Sequence, residues 1–310
     1  KIVSLAAGNN VGEFLEQVNE FKPKVATLCK DLEKGVTLPK GTEFFSGENA
    51  FTNAIIDEAD IVVVAVVGFK GIVAVLDAIE KGKDIALANK ESLVVGGGLV
   101  MKLAKEKGIN ITPIDSEHSA VWQALNFDFN APFKKIILTA SGGAIRDKTK
   151  EQMLTITAKD ALIHPNWKMG DKITIDCATL VNKAFEVIEA KWLYNTTFDK
   201  IDVIIHRESI IHSMVELNDG AVIAQMSYPD MELPIALALS YPDRLKSNVK
   251  SLDFGALKNL SFEEIDHERF PCFKLVLDCA QAGCLYPAVA NGANEQAVKM
   301  FLQGKIAYTD

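Results

Sequence analysis

The sequence of 310 residues lacks any long apolar run, any paired cysteine motif and any excess of positive charge. Its longest apolar run, 61–68, is far shorter than the ~20 residues that a membrane-spanning helix needs. The five cysteines are odd in number and form no C-x-x-C pair, so neither a disulfide framework nor a zinc finger is indicated. With 41 acidic and 33 basic side chains, a general nucleic-acid binder is disfavoured as well.

Prolines are few and apolar residues are abundant. Only 10 prolines occur, and 48% of the residues are hydrophobic, which is enough to bury a large core and is unlike a disordered chain. No charged leader followed by an apolar stretch opens the sequence. The composition therefore predicts a globular protein of the cytosol or of an organelle matrix, with reduced thiols.

Short apolar runs alternate with helical patterns through residues 1–114. The runs 1–8, 24–28, 59–67, 84–88 and 109–114 predict strands, and the segments 11–21, 72–81 and 93–107 have the periodicity of helices. This alternation predicts a doubly wound, Rossmann-like parallel sheet of the α/β class. The run 59–67 is continuous and rich in β-branched residues, so we expect it to be buried on both faces of the sheet.

Polar and charged residues follow several of these strands. They are Gly8, Asn9, Asn10, Asn89, Lys90, Glu91, Asp115, Ser116 and Glu117. Because the carboxyl ends of parallel strands meet at one crevice, Lys90, Glu91 and the group 115–117 are expected to lie near one another. The alternative is that Asp115 or Ser116 merely caps a helix and that Glu117 occupies its first turn.

A mixed α+β region follows residue 115. Residues 134–140 predict a strand that ends in Ser141-Gly142-Gly143, where paired glycines can form an anion-binding nest beside a hydroxyl group. An ordinary turn is the alternative. Residues 162–170 show no regular spacing of apolar residues, which predicts a loop. Its bulky apolar residues fit a lid that excludes water or, equally, a packed corner.

Residues 173–176 read as a short strand, and a helix follows them. On that helix Asn182 and Lys183 precede Glu186 by four and three residues, so the three side chains share one face. An amide, an ammonium and a carboxylate together suit a phosphorylated sugar with a metal ion. The alternative is an exposed helix with a Lys–Glu pair.

The remaining pattern completes the predicted domain organisation. Strands are expected at 201–205, 209–215 and 221–226, and helices at 272–282 and 293–302. We predict a dinucleotide-binding domain over 1–114, a catalytic and metal-binding α+β domain over 115–240, a linker over 241–266 and the start of a helical domain over 267–310.

Five motifs together point to a known family. In chain order they are LANKESL at 87–93, PIDSEH at 113–118, ASGG at 140–143, HPNWKMG at 164–170 and DCATLVNK at 176–183. They resemble the motifs of the 1-deoxy-D-xylulose 5-phosphate reductoisomerase family in the same order, and 206–214 and 290–295 extend the match. Five ordered motifs are specific, whereas any one of them alone is weak.

The resemblance implies an NADP-dependent oxidoreductase and isomerase. Enzymes of this family convert 1-deoxy-D-xylulose 5-phosphate and NADPH to 2-C-methyl-D-erythritol 4-phosphate in the MEP pathway of isoprene biosynthesis, with Mg²⁺ or Mn²⁺, or Co²⁺ as a further candidate. The resemblance also implies a cytoplasmic homodimer that binds a sugar phosphate but neither nucleic acid nor membrane. The bacterial cytoplasm is the expected location, with a plastid-type organelle as the alternative.

The resemblance also assigns roles to individual residues. The implied metal ligands are Asp115, Glu117 and Glu186, whose hard oxygen atoms suit Mg²⁺ or Mn²⁺. With Lys90, they form the implied catalytic set. The implied substrate-binding residues are Lys90, Ser116, Glu117, Ser141, His164, Cys177, Asn182, Lys183 and Glu186; the lid residues are Trp167 and Met169; and the cofactor-binding residues are Gly8, Asn9, Asn10, Asn89, Glu91 and Gly170.

Several departures from the family pattern bear on activity. Position 9 is Asn where a basic residue is common, and position 177 is Cys where Ser is usual, so the phosphate contact at Cys177 is expected to be weaker. No G-x-G-x-x-G or equivalent occurs, and the family's first strand and glycine-rich turn are expected upstream of Lys1. The helical domain also reads as cut short at Asp310. We therefore expect a fragment with impaired turnover.

Two other functions stay open on the sequence alone. One is a different NADP-dependent polyol-phosphate dehydrogenase on the same sheet, and the other is an inactive relic that binds a ligand or a partner. No Asp or Glu stands at the strand end that would face a cofactor ribose, which favours NADPH over NADH.

Overall fold

The computed structural model describes all of residues 1–310 and divides into two units. The first unit comprises Lys1–Ser92 and Leu99–Thr112, and the second comprises Leu93–Gly98 and Pro113–Asp310. Parallel strands joined by helices confirm the predicted α/β class. None of the helices combines the length and the apolar character that crossing a bilayer requires.

Six strands and four helices belong wholly or mainly to the first unit. The strands are β1 (Ser4–Ala7), β2 (Val25–Leu28), β3 (Glu43–Ser46), β4 (Ile61–Val64), β5 (Asp84–Leu87) and β6 (Ile111–Pro113); the helices are α1 (Val11–Phe21), α2 (Ala50–Asn53), α3 (Gly71–Glu80) and α4 (Glu91–Lys107). They form two three-stranded sheets, with the orders β1-β2-β3 and β4-β5-β6. Side chains of α1 pack on the first sheet around Phe14 and Val18.

The expectation that 59–67 is buried on both faces of a sheet is wrong. Strand β4 covers only Ile61–Val64, and Val63 is 45% exposed. The reason is its position, because β4 is an edge strand that pairs with β5 alone. A β-branched run indicates a strand, but it does not say whether that strand has neighbours on both sides.

Three consecutive glycines interrupt helix α4. Gly96 has non-helical dihedral angles and kinks the helix. A Cβ atom on Gly97 would lie 2.3 Å from Cδ1 of Trp192, and one on Gly98 would lie 3.2 Å from the same indole ring. This glycine run therefore serves the close packing of an aromatic ring against helix backbone.

The second unit contains a four-stranded sheet, eight α-helices and one short 3₁₀ helix, Phe198–Lys200. The strands are β7 (Lys135–Ala140), β8 (Ile201–Ile205), β9 (Ile211–Glu216) and β10 (Val222–Met226); the helices are α5 (Ser116–Ala124), α6 (Lys150–Met153), α7 (Ala158–Ala161), α8 (Asp171–Ala178), α9 (Val181–Leu193), α10 (Glu232–Ser240), α11 (Pro271–Ala282) and α12 (Tyr286–Leu302). The sheet order is β10-β9-β7-β8, with β7 and β8 parallel and the other pairs antiparallel.

Two sequence predictions in this unit are wrong. Residues 173–176 are not a strand but part of α8, where Lys172 and Asp176 form an ion pair of 2.7 Å across one helical turn. The alternating pattern was too short to distinguish a strand from a helix. Helix α12 begins at Tyr286 rather than at residue 293, because Pro287 in its first turn is compatible with a helix start.

Helix α9 lies at the centre of the second unit. Phe185 and Ile188 belong to a large apolar cluster that also includes side chains of α8, α11 and α12. Yet the same helix buries Lys183, Glu186 and Glu189. Charged side chains are rarely buried without partners, so this helix directs attention to a functional site.

Candidate active site

Three carboxylates come together where α5 begins and α9 passes. Asp115 immediately precedes α5, Glu117 lies in its first turn, and Glu186 lies in the second turn of α9. One ligand oxygen from each of the three lies within 4.8 Å of the other two. Glu186 is only 1% exposed, so the negative charges face one another in a low-dielectric environment and require a cation.

Lys183 supplies one positive charge to this cluster. Its Nζ lies 2.8 Å from Oε1 of Glu117 and also donates a hydrogen bond to Oε2 of Glu186. Burial alone would lower the pKa of Lys183, but the carboxylates of Glu117 and Glu186 outweigh burial and raise its pKa. The exposed Lys–Glu pair considered above is therefore excluded, because both partners are buried.

Two neutral side chains fix the remaining oxygen atoms of these glutamates. Asn182 donates from Nδ2 to Oε1 of Glu186 at 2.7 Å, and Ser116 donates from Oγ to Oε2 of Glu117 at 2.6 Å. Each glutamate therefore has both oxygens oriented by a neighbour. The structure thus brings together five of the predicted substrate-binding side chains, which are Ser116, Glu117, Asn182, Lys183 and Glu186.

The donor set suits a hard divalent cation. It consists of three carboxylates, with neither thiolate nor imidazole, and this composition favours Mg²⁺ or Mn²⁺ over Zn²⁺. Asp115 occupies the N-cap position of α5, but its side chain makes no capping hydrogen bond. The capping interpretation of Asp115 therefore does not hold in the structure.

A second polar cluster surrounds the glycine turn after β7. Oγ of Ser141 lies 2.9 Å from Nε2 of His164 and accepts the N–H of Gly143 at 3.2 Å. Gly142 and Gly143 both have positive φ, and a Cβ on Gly143 would lie 2.4 Å from the carbonyl oxygen of Cys177. The turn thus packs against α8, which places Ser141, His164 and the backbone of Cys177 in one region.

The hydrogen bonds of His164 determine its tautomer. Nδ1 accepts the backbone N–H of Asn166 at 3.2 Å and that of Trp167 at 2.9 Å, so the ring proton resides on Nε2. Nε2–H then donates to Ser141, whose own hydroxyl proton is available for an acceptor. Burial, together with the charge of Arg146, lowers the pKa of His164 to about 4.

The loop 162–170 is anchored to the second unit by Asn166. Its Nδ2 donates to the carbonyl of Arg207 at 2.6 Å and to Oγ of Ser209 at 2.7 Å. The Trp167 ring lies 6.2 Å from the ring of His212, and Met169 is half-buried. The predicted loop is confirmed, and its role as a lid stays a prediction.

Sequence reasoning missed several polar residues of this unit. Arg146 donates to the carbonyls of Ser141 and Arg207, so it supports the glycine turn from behind. His118 and Glu189 are buried beside the carboxylates. His118 lies inside the PIDSEH motif, which could have drawn attention to it. Nothing in the local sequence of Arg146 or Glu189 indicates that these side chains are buried.

The predicted cofactor residues lie mainly in the first unit. Asn10 caps α1, and Gly8 and Asn9 form the turn before it. Asn89 is buried and donates to the carbonyls of Val66 and Gly68 at 2.8 and 2.9 Å. Lys90 and Glu91 begin α4, and Gly170 caps α8. The expected approach of Lys90 and Glu91 to the carboxylates stays a prediction.

Comparisons with known proteins agree with one another. Three family profiles match the chain: 1-deoxy-D-xylulose 5-phosphate reductoisomerase over 1–97, the C-terminal domain of that reductoisomerase over 111–194, and the DXP reductoisomerase C-terminal domain over 226–310. The enzymes of that name from Caldanaerobacter subterraneus and Exiguobacterium sibiricum are 50% and 48% identical to this chain. Each alignment covers 100% of this chain and 82% of the relative.

Solved structures give the same result. A crystal structure of DOX-P reductoisomerase in complex with NADPH, fosmidomycin and magnesium matches with a TM-score of 0.94 at 43% identity, covering 99% of this chain and 79% of that chain. The Zymomonas mobilis enzyme in complex with NADPH matches with a TM-score of 0.89 at 38% identity, covering 99% of this chain and 81% of that chain.

Proposed function

The chain belongs to the 1-deoxy-D-xylulose 5-phosphate reductoisomerase family, and on that premise we propose that it carries out the family's reaction with NADPH and a divalent cation. The substrate is 1-deoxy-D-xylulose 5-phosphate and the product is 2-C-methyl-D-erythritol 4-phosphate. The alternatives of an inactive relic or another polyol-phosphate dehydrogenase gain no support from the relatives.

Asp115, Glu117 and Glu186 are the side chains that would hold the cation. Their clustered oxygens and their net negative charge, only partly offset by Lys183, support this assignment. When bound, Mg²⁺ or Mn²⁺ acts as a Lewis acid that polarises the substrate's carbonyl oxygen. Asn182 and Ser116 keep the glutamate oxygens oriented, so the ligands are preorganised.

The turn after β7 is the proposed seat of the substrate phosphate. Ser141 accepts hydrogen bonds from His164 and from Gly143, so its hydroxyl proton is directed away from both. A hydroxyl donor held in this way is suited to a phosphate oxygen. Cys177 adds a weak donor beside the turn, and Trp167 and Met169 would exclude water when the loop closes over the ligand.

The remaining predicted roles fall mainly to residues of the first unit. Lys90 is proposed to act near the reacting centre, and Gly8, Asn9, Asn10, Asn89, Glu91 and Gly170 are proposed to lie along the cofactor. The relatives from Caldanaerobacter subterraneus and Exiguobacterium sibiricum are bacterial, which supports the bacterial cytoplasm as the location of this protein.

The observation that carries the proposal is the cluster of three carboxylates, two of which, Glu117 and Glu186, are bridged by the ammonium of Lys183. The test follows NADPH oxidation with 1-deoxy-D-xylulose 5-phosphate, with and without Mg²⁺, for the wild type, Glu117→Gln and the exposed control Glu16→Gln. We expect Mg²⁺-dependent oxidation in the wild type and the control, and a loss of at least about 100-fold in Glu117→Gln. Faster oxidation with another sugar phosphate would favour the alternative dehydrogenase.

A homodimer is the proposed assembly. Strand β10 is an edge of the four-stranded sheet, and its Val222 and Ile223 are 50% and 42% exposed. An edge strand with apolar side chains on both faces is suited to pairing with another copy. Size-exclusion chromatography with light scattering should give twice the mass of one chain, which is 33.8 kDa. A monomer at micromolar concentration would contradict the proposal.

A further inference from the structure

Two buried titratable side chains of the second unit have no role in the function proposed above. His118 lies on α5, one residue after Glu117, and Glu189 lies on α9, one turn after Glu186. Both are 0% exposed. Burying a carboxylate and an imidazole costs free energy, so their arrangement requires a physical reason.

The imidazole of His118 contacts both elements that carry the carboxylate cluster. Its Nε2 lies 2.9 Å from the backbone carbonyl oxygen of Glu186, and because a carbonyl only accepts, Nε2–H is the donor. Its Nδ1 lies 3.5 Å from Oε2 of Glu189 and 3.8 Å from Oδ2 of Asp115. One ring thus spans the side chain of Asp115 and the main chain of Glu186.

The surroundings of His118 restrict its movement. Its own carbonyl accepts a hydrogen bond of 2.5 Å from the hydroxyl of Tyr194, a buried residue that directly follows α9. The pair of His118 and Glu189 therefore lies at the contact between α5 and α9, where it can set the distance between these two helices. Ligating side chains commonly depend on such neighbours outside the ligand set for their orientation.

We propose that His118, held by Glu189, is a positioning residue that sets the spacing of Asp115 and Glu186 for the divalent cation. The pair acts through the two carboxylates rather than by contact with substrate or cofactor. The inference rests on the ligand set proposed above, in which Asp115 and Glu186 bind the same ion. It adds His118 and Glu189, to which neither the family resemblance nor the sequence spacing assigns a role.

The test is a titration of the full chain with Mn²⁺, in which free Mn²⁺ is measured by electron paramagnetic resonance. Glu189→Gln and His118→Gln should each raise the Kd for Mn²⁺ by roughly 10- to 100-fold. Ser119→Ala is the matched control, because Ser119 is a buried polar residue on the same helix whose hydroxyl contacts Gln123. Its Kd should stay within about twofold of the wild type.

Thermal unfolding in EDTA separates positioning from general stability. If the role is positioning, Glu189→Gln should lose Mn²⁺ affinity while its metal-free Tm stays close to that of Ser119→Ala. If His118→Gln does not fold, Glu189→Gln decides the question, because glutamine preserves the side-chain volume. Unchanged affinity in Glu189→Gln, or an equal loss in Ser119→Ala, would overturn the proposal.

Glu186→Gln distinguishes a failure of the positioning role from a failure of the proposed ligand set. This variant should abolish Mn²⁺ binding if the ligand set is right. Retained binding in Glu186→Gln would overturn the proposed ligand set itself. Lost binding in Glu186→Gln with wild-type affinity in both His118→Gln and Glu189→Gln would overturn only the positioning role.

Discussion

At the scale of single residues, the balance of charge around Lys183 is the most informative feature. Its ammonium bridges the half-buried Glu117 and the buried Glu186, and so offsets only part of the negative charge of the three carboxylates. The helical spacing of Asn182, Lys183 and Glu186 allowed their shared face to be predicted. The bridge from Lys183 to Glu117 joins residues 66 positions apart, and no local pattern reveals such a contact.

Replacing Lys183 by Met should destabilise the metal-free protein. The substitution preserves the length of the side chain but leaves the two glutamates without their cation, and removing one partner of a buried ion pair costs about 3–5 kcal/mol. Thermal unfolding in EDTA should show a lower Tm, and added Mg²⁺ should raise the Tm of Lys183→Met more than that of the wild type. Equal responses to Mg²⁺ would contradict a shared cation site.

His164 should give the protein a specific pH dependence. Burial and Arg146 lower its pKa from 6.5 to about 4 in the folded state, whereas the unfolded imidazole takes up a proton near pH 6.5. The unfolded state therefore binds more protons between these values, and stability falls as the pH falls from 6.5 to 4. Urea titrations at pH 7 and pH 5 should show this loss in the wild type and a smaller loss in His164→Gln.

Cys177 stands where the family resemblance implies a serine, and replacing it by serine tests its proposed contact with the substrate phosphate. A hydroxyl is a better donor than a thiol, and a neutral hydrogen bond contributes about 0.5–1.5 kcal/mol. Cys177→Ser should therefore lower the KM for 1-deoxy-D-xylulose 5-phosphate by about 2- to 10-fold. An unchanged or higher KM would show that this side chain does not reach the substrate phosphate.

At the scale of elements, the glycine turn after β7 depends on close contact with α8. Gly143 has φ +71°, and an added Cβ would lie 2.4 Å from a backbone oxygen of Cys177. Gly143→Ala should therefore cost about 2–4 kcal/mol of stability and displace Ser141, which raises KM. Gly220→Ala is the control, because its φ is +90° but nothing lies within 4 Å. A similar cost in both variants would contradict the close contact.

The elements also show where sequence patterns succeed. Helix α4 ends at Gly108 in the left-handed conformation, as a helix followed by glycine predicts. Residues 173–176 were misread, because four alternating residues fit a strand and one helical turn equally well. Burial of β4 was also misjudged, since strand partners are set by the whole sheet rather than by the strand.

At the scale of the whole molecule, the α/β class and the family were predictable because five motifs occur in a fixed order. The division of the parallel strands into two three-stranded sheets was not, because alternating strands and helices do not specify which strands pair. The buried pair of His118 and Glu189 was missed for a related reason. A polar residue within an apolar helix pattern indicates burial only when the contacts of that helix are known.

Asp115, Glu117 and Glu186 are proposed to hold one divalent cation. A crystal soaked in Mn²⁺ and measured at the manganese absorption edge tests it directly by anomalous scattering. We expect one strong peak within roughly 2.0–2.6 Å of oxygens from all three carboxylates. Lys183 should then no longer bridge Glu117 and Glu186. The absence of such a peak, with Lys183 still bridging Glu117 and Glu186, would contradict a cation site at these carboxylates.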